Sequence, residues 1–443
     1  MNIKSILIIG SGISGLGAAH LAVRNNYKVF LTTLSKIDHI RKQKLLSLGV
    51  HIEEGQHSDS MLDFVSIIVK SPGIPPRIPI LEKAQNKSIP IISEIEFASR
   101  FSDSKTIAIT GTNGKTTTST LLYSILKNAG LNVDLAGNIG KSFSESIMQN
   151  AYKYHVLELS SFQLEDIISF SPDISIILNI TDDHLERYSS FSDYMHTKLR
   201  INMNQKSDDI FIYPYENKLI GQINTQAKKY SFGKSKKPNS SHGAWIENNK
   251  IIIKTIKNNF TMTIHNLALK GTHNIYNSMA AALAASALGI KNEIIRKSLV
   301  DFKGIHHRLE FVGKVSGVDF INDSKATNCN AVYYALETVS SPIVWICGGI
   351  DKGNNYSSLL DLVKNKVKSI IILGRHNKKI EDNFKNIVDD LICVKSMKDA
   401  VNTAHSISNV GDTVLLSPAC ASFDLFKNYE ERGESFKSCV LEI

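Results

Sequence analysis

The chain has 443 residues, 42% hydrophobic and 21% charged, with a formal net charge of +9 at pH 7. That length exceeds what one hydrophobic core usually serves, so two or three domains are expected, and the composition excludes a disordered or fibrous protein. The excess of cations speaks to anionic partners rather than to fold, and because the basic residues are spread along the chain it selects neither nucleic acid nor a membrane surface.

Five cysteines, Cys329, Cys347, Cys393, Cys420 and Cys439, form an odd set without CxxC spacing. This argues against a disulfide framework or a zinc site and fits a reducing compartment. The first apolar run, Ile6-Leu7-Ile8-Ile9, stops at Gly10. It is too short for a signal peptide core, and no later run approaches the roughly 20 apolar residues of a membrane-spanning helix. A cytoplasmic protein is expected.

Short apolar runs alternate with helical patterns throughout, the mark of an α/β protein with parallel sheets wrapped by helices. A first domain, 1–98, has strand-like runs at 5–9, 28–32 and 66–69. A second, 99–302, opens with a buried strand at 106–110 and a helix at 116–128, followed by strands at 154–159 and 174–180. Within it, 244–255 reads as a hairpin turning at Asn248-Asn249, and 275–288 as an alanine-rich helix able to pack closely. A third, 303–443, has strands near 318–321, 343–347, 369–373 and 413–416.

Two glycine loops stand out. Gly10-Ser11-Gly12-Ile13-Ser14-Gly15 lies between a strand and a helix, where backbone amides can meet a pyrophosphate. NAD would also need an acid closing the second strand to hold the ribose, and Leu31-Thr32-Thr33 has none, with Asp38 too late. NAD is therefore not expected. A different diphosphate such as a UDP-sugar is, and glycines serving only tight packing are the structural alternative. The second loop, Thr110-Gly111-Thr112-Asn113-Gly114-Lys115-Thr116-Thr117, runs from strand through glycines to Lys-Thr and a helix. Its amides would cradle a triphosphate, Lys115 would offset developing charge, and the Thr116 hydroxyl could hold magnesium. Ile109 takes the place of the first glycine of the usual GxxxxGK[ST] pattern.

This variant, TGTNGKT, is similar to that of the Mur ligases and the related folylpolyglutamate synthases. The chain resembles the Mur ligase family over essentially its whole length. The blocks are Ser71-Pro72-Gly73-Ile74, Gly137-Asn138-Ile139-Gly140, Glu158 to Leu164, Asp182 to Tyr188, Gly271 to Asn277 and His307-Arg308-Leu309-Glu310. Asn322 to Asn328, Leu416 to Asp424 and Tyr429 to Gly433 resemble the branch that adds D-glutamate, and the arginine-containing signature of relatives adding diaminopimelate or lysine is missing.

The resemblance implies three domains: a Rossmann-like N-terminal UDP-binding domain, a central P-loop-type ATPase and a Rossmann-like C-terminal domain that brings the amino acid. It implies ATP-dependent ligation of D-glutamate to UDP-N-acetylmuramoyl-L-alanine through an acyl phosphate; no nucleic-acid or membrane partner is expected, and the oligomeric state is left open with a monomer preferred. Carried over residue by residue, Gly12, Ile13, Ser14, Thr32, Ser71, Gly73, Asn138 and His184 would meet the UDP substrate. Gly111, Thr112, Asn113, Gly114, Lys115, Thr116, Thr117, Asn274, Asn277, Arg308 and Asp323 would bind ATP. Lys325, Thr327, Lys352, Ser422, Phe423 and Tyr429 would hold D-glutamate.

Lys115, Glu158, His184 and Lys198 would be catalytic. Thr116 and Glu158 would share one magnesium ion, with His184 and an N6-carboxylated (carbamylated) Lys198 serving a second; hard magnesium prefers the oxygens a carbamate supplies. Each residue has a plainer reading. Lys198 could be an exposed helix lysine, Asn274 and Asn277 helix caps, Arg308 a linker ion pair, Asp323 a solvated strand end and Lys352 a loop charge. His306-His307 lacks a further ligand at metal spacing. The family's D-glutamate branch ends its second strand with an acid and follows it with an arginine, where this chain has Leu31-Thr32-Thr33. Two rival functions are a folylpolyglutamate synthase, which lacks the N-terminal glycine-loop domain, and a non-catalytic nucleotide sensor, against which the intact Lys115, Glu158, His184 and Lys198 argue.

Overall fold

An aliphatic run without polar alternation is stable only as a strand covered on both faces, and Ile6 to Ile9 are fully buried. They form the centre of an all-parallel five-stranded sheet of β1 (Ser5–Ile9), β2 (Lys28–Thr33), β3 (His51–Glu54), β4 (Ile67–Lys70) and β5 (Ile91–Ser93), in the order β3-β2-β1-β4-β5. The order reverses between β1 and β4, and open α/β sheets bind ligands at such a switch point. The computed structural model describes residues 4–184, 187–235, 242–351, 353–375 and 378–443.

The second sheet has nine strands: β6 (Lys105–Thr110), β7 (Val133–Gly137), β8 (Tyr154–Glu158), β9 (Ile174–Ile177), β10 (Ile210–Pro214), β11 (Lys228–Gly233), β12 (Gly243–Glu247), β13 (Lys250–Lys254) and β14 (Asn259–Thr263). Their order is β14-β13-β12-β11-β10-β9-β6-β8-β7, parallel except for the β12-β13-β14 meander. Asn248 and Asn249, at φ 48° and 58°, make the expected two-residue hairpin turn. One expectation needs correction. The strand expected at 174–180 ends at Ile177, because Asn179 turns its carbonyl and side chain onto the phosphate loop. The third meander strand, β14, was not expected, its short Asn-Phe-Thr-Met-Thr run carrying only two buried apolar residues.

One apolar core continues from β1 and the helix Ile13–Arg24 through Phe97 and Phe143 to Leu157 and Phe211, covering both sheets. The alanine-rich helix Thr272–Leu288 has a wholly buried stretch from Met279 to Ala285. The third sheet comprises β15 (Glu310–Val315), β16 (Val318–Asn322), β17 (Ile343–Cys347), β18 (Val367–Leu373), β19 (Asp390–Val394) and β20 (Thr413–Leu416). Its order is β15-β16-β20-β17-β18-β19, with β15 antiparallel to β16 and the remaining pairs parallel.

By packing, the chain divides into two units. The first holds the residues up to 182, 187–266 and 276–300, with the first two sheets; the second holds 301–443, with the third sheet, and the short segments around His184 and His273. Among the described residues no helix is long and apolar enough to cross a membrane.

Candidate active site

The second sheet builds the phosphate loop. β6 is buried from Thr106 onward, and the helix Lys115–Asn128 starts directly after Gly114. Gly114 has φ +83°, and a Cβ there would lie 2.3 Å from Asn277 Oδ1, so the position needs glycine both for its backbone and for the closeness of Asn277. Asn179 fixes the loop from below: its Oδ1 accepts from Asn113 N at 2.9 Å and its Nδ2 donates to Asn113 O at 3.0 Å. The Thr112 hydroxyl lies 3.1 Å from Tyr194 Oη. The Lys115 ammonium curls into the loop, donating to the carbonyls of Gly111 and Thr112 at 2.8 Å each.

Lys198 is a buried residue, 2% exposed. It lies at the end of the helix Phe191–Leu199, with its ammonium 4.7 Å from the Tyr194 ring centroid and donating to Gly111 O at 3.1 Å. The exposed-lysine reading is therefore corrected. Two lysines from distant parts of the chain share one loop carbonyl.

Glu158 ends β8, which is hydrogen-bonded to β6, so it emerges at the same end of the sheet as the loop. Its Oε1 accepts from Asn138 Nδ2 at 2.9 Å, and Asn138 N donates to the Glu158 carbonyl at 2.8 Å. Its Oε2 is buried with no hydrogen-bond partner, as is the Thr117 hydroxyl. Thr116, 3% exposed, is the second residue of the helix Lys115–Asn128. A buried carboxylate oxygen left unpaired is costly unless a cation completes it.

At the first glycine loop, a Cβ on Gly15 would lie 2.0 Å from Gly10 O, so Gly15 serves close packing. Gly12, with nothing within 4 Å of such a Cβ, caps the helix beginning at Ile13 without any side-chain cap, leaving its amides for a ligand. Ser71 is buried, 3.5 Å through its hydroxyl from Gly10 O, and Gly73 is open. Ser14 is half-buried in the first turn. Thr32 is fully buried, its hydroxyl donating to Gln56 O at 2.8 Å and lying 3.0 Å from Glu53 Oε2 and 2.9 Å from His57 Nδ1. Thr33, by contrast, accepts from the Ser11 hydroxyl at 3.2 Å, on the loop itself.

Sequence reasoning assigned no role to Arg187. Its guanidinium holds Glu165 through two bonds of 2.9 and 2.6 Å and donates to the carbonyls of Pro72 and Ile74 at 3.0 and 3.1 Å. Lys70, almost wholly buried, pairs with Glu165 at 3.1 Å and Asp166 at 2.9 Å. The Ser71–Ile74 block is thus tied to the segment following β8. Arg187 stood inside a quoted block, which was the only signal for it.

The second unit holds the other candidates. His184, at φ +56°, has its Nε2 3.9 Å from Asp183 Oδ2, and that oxygen accepts from Asn328 Nδ2 at 3.2 Å. Asn274 is buried and donates to Lys270 O at 2.8 Å. Asp323 is 2% exposed rather than solvated; it accepts from the Ser417 hydroxyl at 2.9 Å and from Leu309 N at 3.2 Å. Burial pushes its carboxyl up to about 6, against the pull of Arg308. Burial and the same arginine push His273 down to about 4, and Arg308 Nε is itself buried without a hydrogen-bond partner. A guanidinium poised in this way suits a phosphate.

Lys325 Nζ donates to the Tyr429 hydroxyl at 3.2 Å and lies 5.0 Å from its ring centroid. Thr327 is half-buried, Ser422 is 2% exposed and Phe423 is 67% exposed. Lys352 lies outside the described residues. Arg432, also missed, is buried and donates to Ser324 Oγ, Ser324 O and Cys420 O at 3.0, 2.8 and 3.1 Å, fixing the Lys325 segment against the Ser422 segment. Among the described residues no group of three or more His, Cys, Asp or Glu side chains is placed to hold a metal ion.

The description "Mur ligase MurD-like, N-terminal domain" matches residues 4–93, "Mur ligase middle domain" residues 109–285, and "Mur ligase, glutamate ligase domain" residues 307–420. A relative from Christiangramia forsetii, named UDP-N-acetylmuramoylalanine--D-glutamate ligase, is 46% identical over 99% of both chains. Relatives of the same name from Bacteroides fragilis and Porphyromonas gingivalis are 45% identical over 99% of this chain and 100% of theirs, and 44% identical over 99% and 98%. Among solved structures, a UDP-N-acetylmuramate-alanine ligase from Thermotoga maritima matches with a TM-score of 0.62 at 18% identity over 100% of both chains. A pseudomurein peptide ligase type C from Methanothermus fervidus matches at 0.61 and 20% over 99% of both, so these two share the fold. The chain, with its three-domain α/β fold, belongs to the Mur ligase family.

Proposed function

We propose that this chain is a cytoplasmic ligase that uses ATP to join the amine of D-glutamate to the alanyl carboxylate of UDP-N-acetylmuramoyl-L-alanine, in peptidoglycan precursor synthesis. The observation that carries the reading is the pair of lysines, Lys115 and Lys198, on the carbonyl of Gly111 inside a strand-loop-helix phosphate cradle. The full-length likeness to relatives named for D-glutamate supports the choice of amino acid. The working domains are 1–98 for the UDP substrate, 99–302 for ATP and 303–443 for the amino acid.

A carboxylate is a poor electrophile, so an alanyl carboxylate oxygen first attacks the γ-phosphorus of ATP and the bond to ADP breaks. The loop amides and Lys115 hold the phosphates and offset the charge that moves onto the leaving oxygen. The free amine of D-glutamate then attacks the acyl carbon, phosphate departs, and the amine's surplus proton leaves with solvent or phosphate. Gly12, Ile13, Ser14, Thr32, Ser71, Gly73 and Asn138 position the UDP substrate. Asn274, Asn277, Arg308 and Asp323 complete the ATP site, Asp323 accepting from ribose hydroxyls. Lys325, Thr327, Lys352, Ser422, Phe423 and Tyr429 hold the amino acid, whose two carboxylates need cations and hydroxyls while its amine stays free.

The unpaired Glu158 Oε2 fits a divalent cation. Thr116 and Glu158 would hold one magnesium ion, and His184 with carbamylated Lys198 would serve another, supplying charge neutralisation to the transferring phosphoryl group. The test is phosphate release with ATP and UDP-N-acetylmuramoyl-L-alanine across a panel of amino acids. D-Glutamate alone should trigger it. A preference for L-glutamate or diaminopimelate would move the chain to another branch of the family.

A further inference from the structure

The third sheet carries a cavity to which the proposed ligase reaction assigns no role. It has a volume of about 510 Å³ and opens where β18 and β19 end side by side, Leu373 opposite Val394. Its polar walls are Arg375 after β18, Lys378, Lys379 and Glu381 on the helix Lys378–Phe384, and Cys393 and Lys395 at the end of β19. Parallel sheets take their ligands at the carboxyl ends of strands. Of the residues proposed for D-glutamate, Lys325 and Thr327 follow β16, Lys352 follows β17, and Ser422, Phe423 and Tyr429 follow β20, whereas this cavity opens at the ends of β18 and β19, beyond β17 in the strand order.

Four cations face one carboxylate across this space. Lys379 is matched by Asp351 at 3.3 Å, and the Glu381 carboxylate is engaged by the Cys393 thiol, which donates to it at 3.0 Å. Among the described residues no carboxylate stands within ion-pair distance of Arg375, Lys378 or Lys395. The Asp424 carboxylate accepts from the backbone N of Arg375 at 3.3 Å, not from its guanidinium. Three unmatched cations around one concavity focus positive potential into it and repel each other until an anion enters.

We infer that this cavity is a binding site for a compact, phosphate-bearing polyanion carrying at least two phosphate groups. A single phosphate monoester carries no more than about two charges at neutral pH, too few for three unmatched cations, whereas a diphosphate meets them all. Arg375 supplies the forked donor that grips phosphate oxygens in pairs, and the lysines supply point charges on either side. The volume lies within the usual range for small-molecule sites, about 300–1,000 Å³, and the concavity suits a small ligand better than a polymer backbone.

The test uses the full chain with inorganic pyrophosphate, and takes Cys393 as the reporter because its thiol lines the cavity. Burial and Glu381 push that thiol up to about 11, so alkylation by iodoacetamide is followed at pH 9 on the Cys393 peptide by mass spectrometry. Millimolar pyrophosphate should slow alkylation of Cys393 by about five-fold, as expected at a few times the dissociation constant. Chloride at matched ionic strength should not, and Cys439 should react at an unchanged rate. Lys115→Ala should keep the protection, which separates this site from the phosphate loop. Arg375→Ala combined with Lys395→Ala should abolish it; if that variant melts abnormally, the single exposed change Arg375→Gln decides. No protection in the wild type, equal protection by chloride, or protection that survives loss of Arg375 in a normally melting variant would each overturn the site.

Discussion

Lys115 and Lys198 donate to the same carbonyl, at 2.8 and 3.1 Å, although they are supplied by different helices. Two ammonium groups at one oxygen repel each other, and the repulsion is offset by phosphates in the loop or by converting one of the pair to an anion. A carbamate on Lys198 keeps an N–H for the Gly111 carbonyl while reversing the charge beyond it. Lys198→Ala should therefore lose turnover and regain part of it with short carboxylates such as acetate, and carbon NMR after labelled bicarbonate should find the carbamate. Full activity in enzyme whose Lys198 is unmodified would end this account. Lys115 acts earlier. Lys115→Ala should cut single-turnover acyl-phosphate formation by about 10²–10³-fold, the usual cost of removing a group aimed at developing charge, with a smaller effect on ATP binding. Acyl phosphate formed at the normal rate in that variant would remove Lys115 from the chemistry.

At the scale of elements, the decisive object is the clamp around Glu165. Arg187 grips both its oxygens, the Tyr188 hydroxyl donates to one at 2.9 Å, and Lys70 pairs from the end of β4. The other donors of Arg187 hold the carbonyls of Pro72 and Ile74, so the loop after β4 cannot shift without breaking a nearly buried charge cluster. Arg187→Lys keeps the charge but loses the fork. It should raise the KM for the UDP substrate about ten-fold, one lost charge-assisted contact, and leave the KM for ATP nearly unchanged. Arg187→Ala should go further and lower the melting temperature, because it removes two charge-assisted bonds from a largely buried Glu165 and leaves it only Lys70 and the Tyr188 hydroxyl. Equal rises in both KM values for the lysine variant would mean general loosening instead of loop positioning. Several elements were readable where burial imposes a pattern: β1, β6, β17 and β20 are short runs buried at nearly every position, and the Asn248-Asn249 turn is written in two residues. The clamp was not readable, because the partners of Arg187 lie 22, 113 and 115 positions away. Strand β14 and the early end of β9 escaped for a related reason, since neighbouring strands and the phosphate loop decide them more than local propensity does.

Over the whole molecule, alternating strands and helices made an α/β fold legible. The way packing gathers His184 and Asn274 with the third sheet was not, because it depends on contacts between remote segments. One such long-range contact joins the first two sheets within their shared unit. Glu94 begins the helix Glu94–Ser99 after β5, and its Oε1 accepts at 2.6 Å from the backbone N of Ser144, in the first turn of the helix Phe143–Gln149. It is 1% exposed, and its Oε2 has no hydrogen-bond partner. Burial pushes the carboxyl up to about 7, with the hydrogen bonds from Ser144 and Phe143 pulling the other way. A raised folded-state pKa means that the folded chain holds this proton more tightly than the unfolded chain does. The corresponding stability is present in full below the unfolded value of 4.5 and is lost as pH rises through about 7. A shift of this size corresponds to about 3 kcal/mol. Glu94→Gln keeps an acceptor for Ser144 and has no proton to lose, so its unfolding free energy relative to wild type should climb by about that amount between pH 4.5 and pH 8, then level off. Urea denaturation of both proteins across that range measures it, and a difference that does not change with pH would mean that Glu94 ionises in the fold as readily as it does in the open chain.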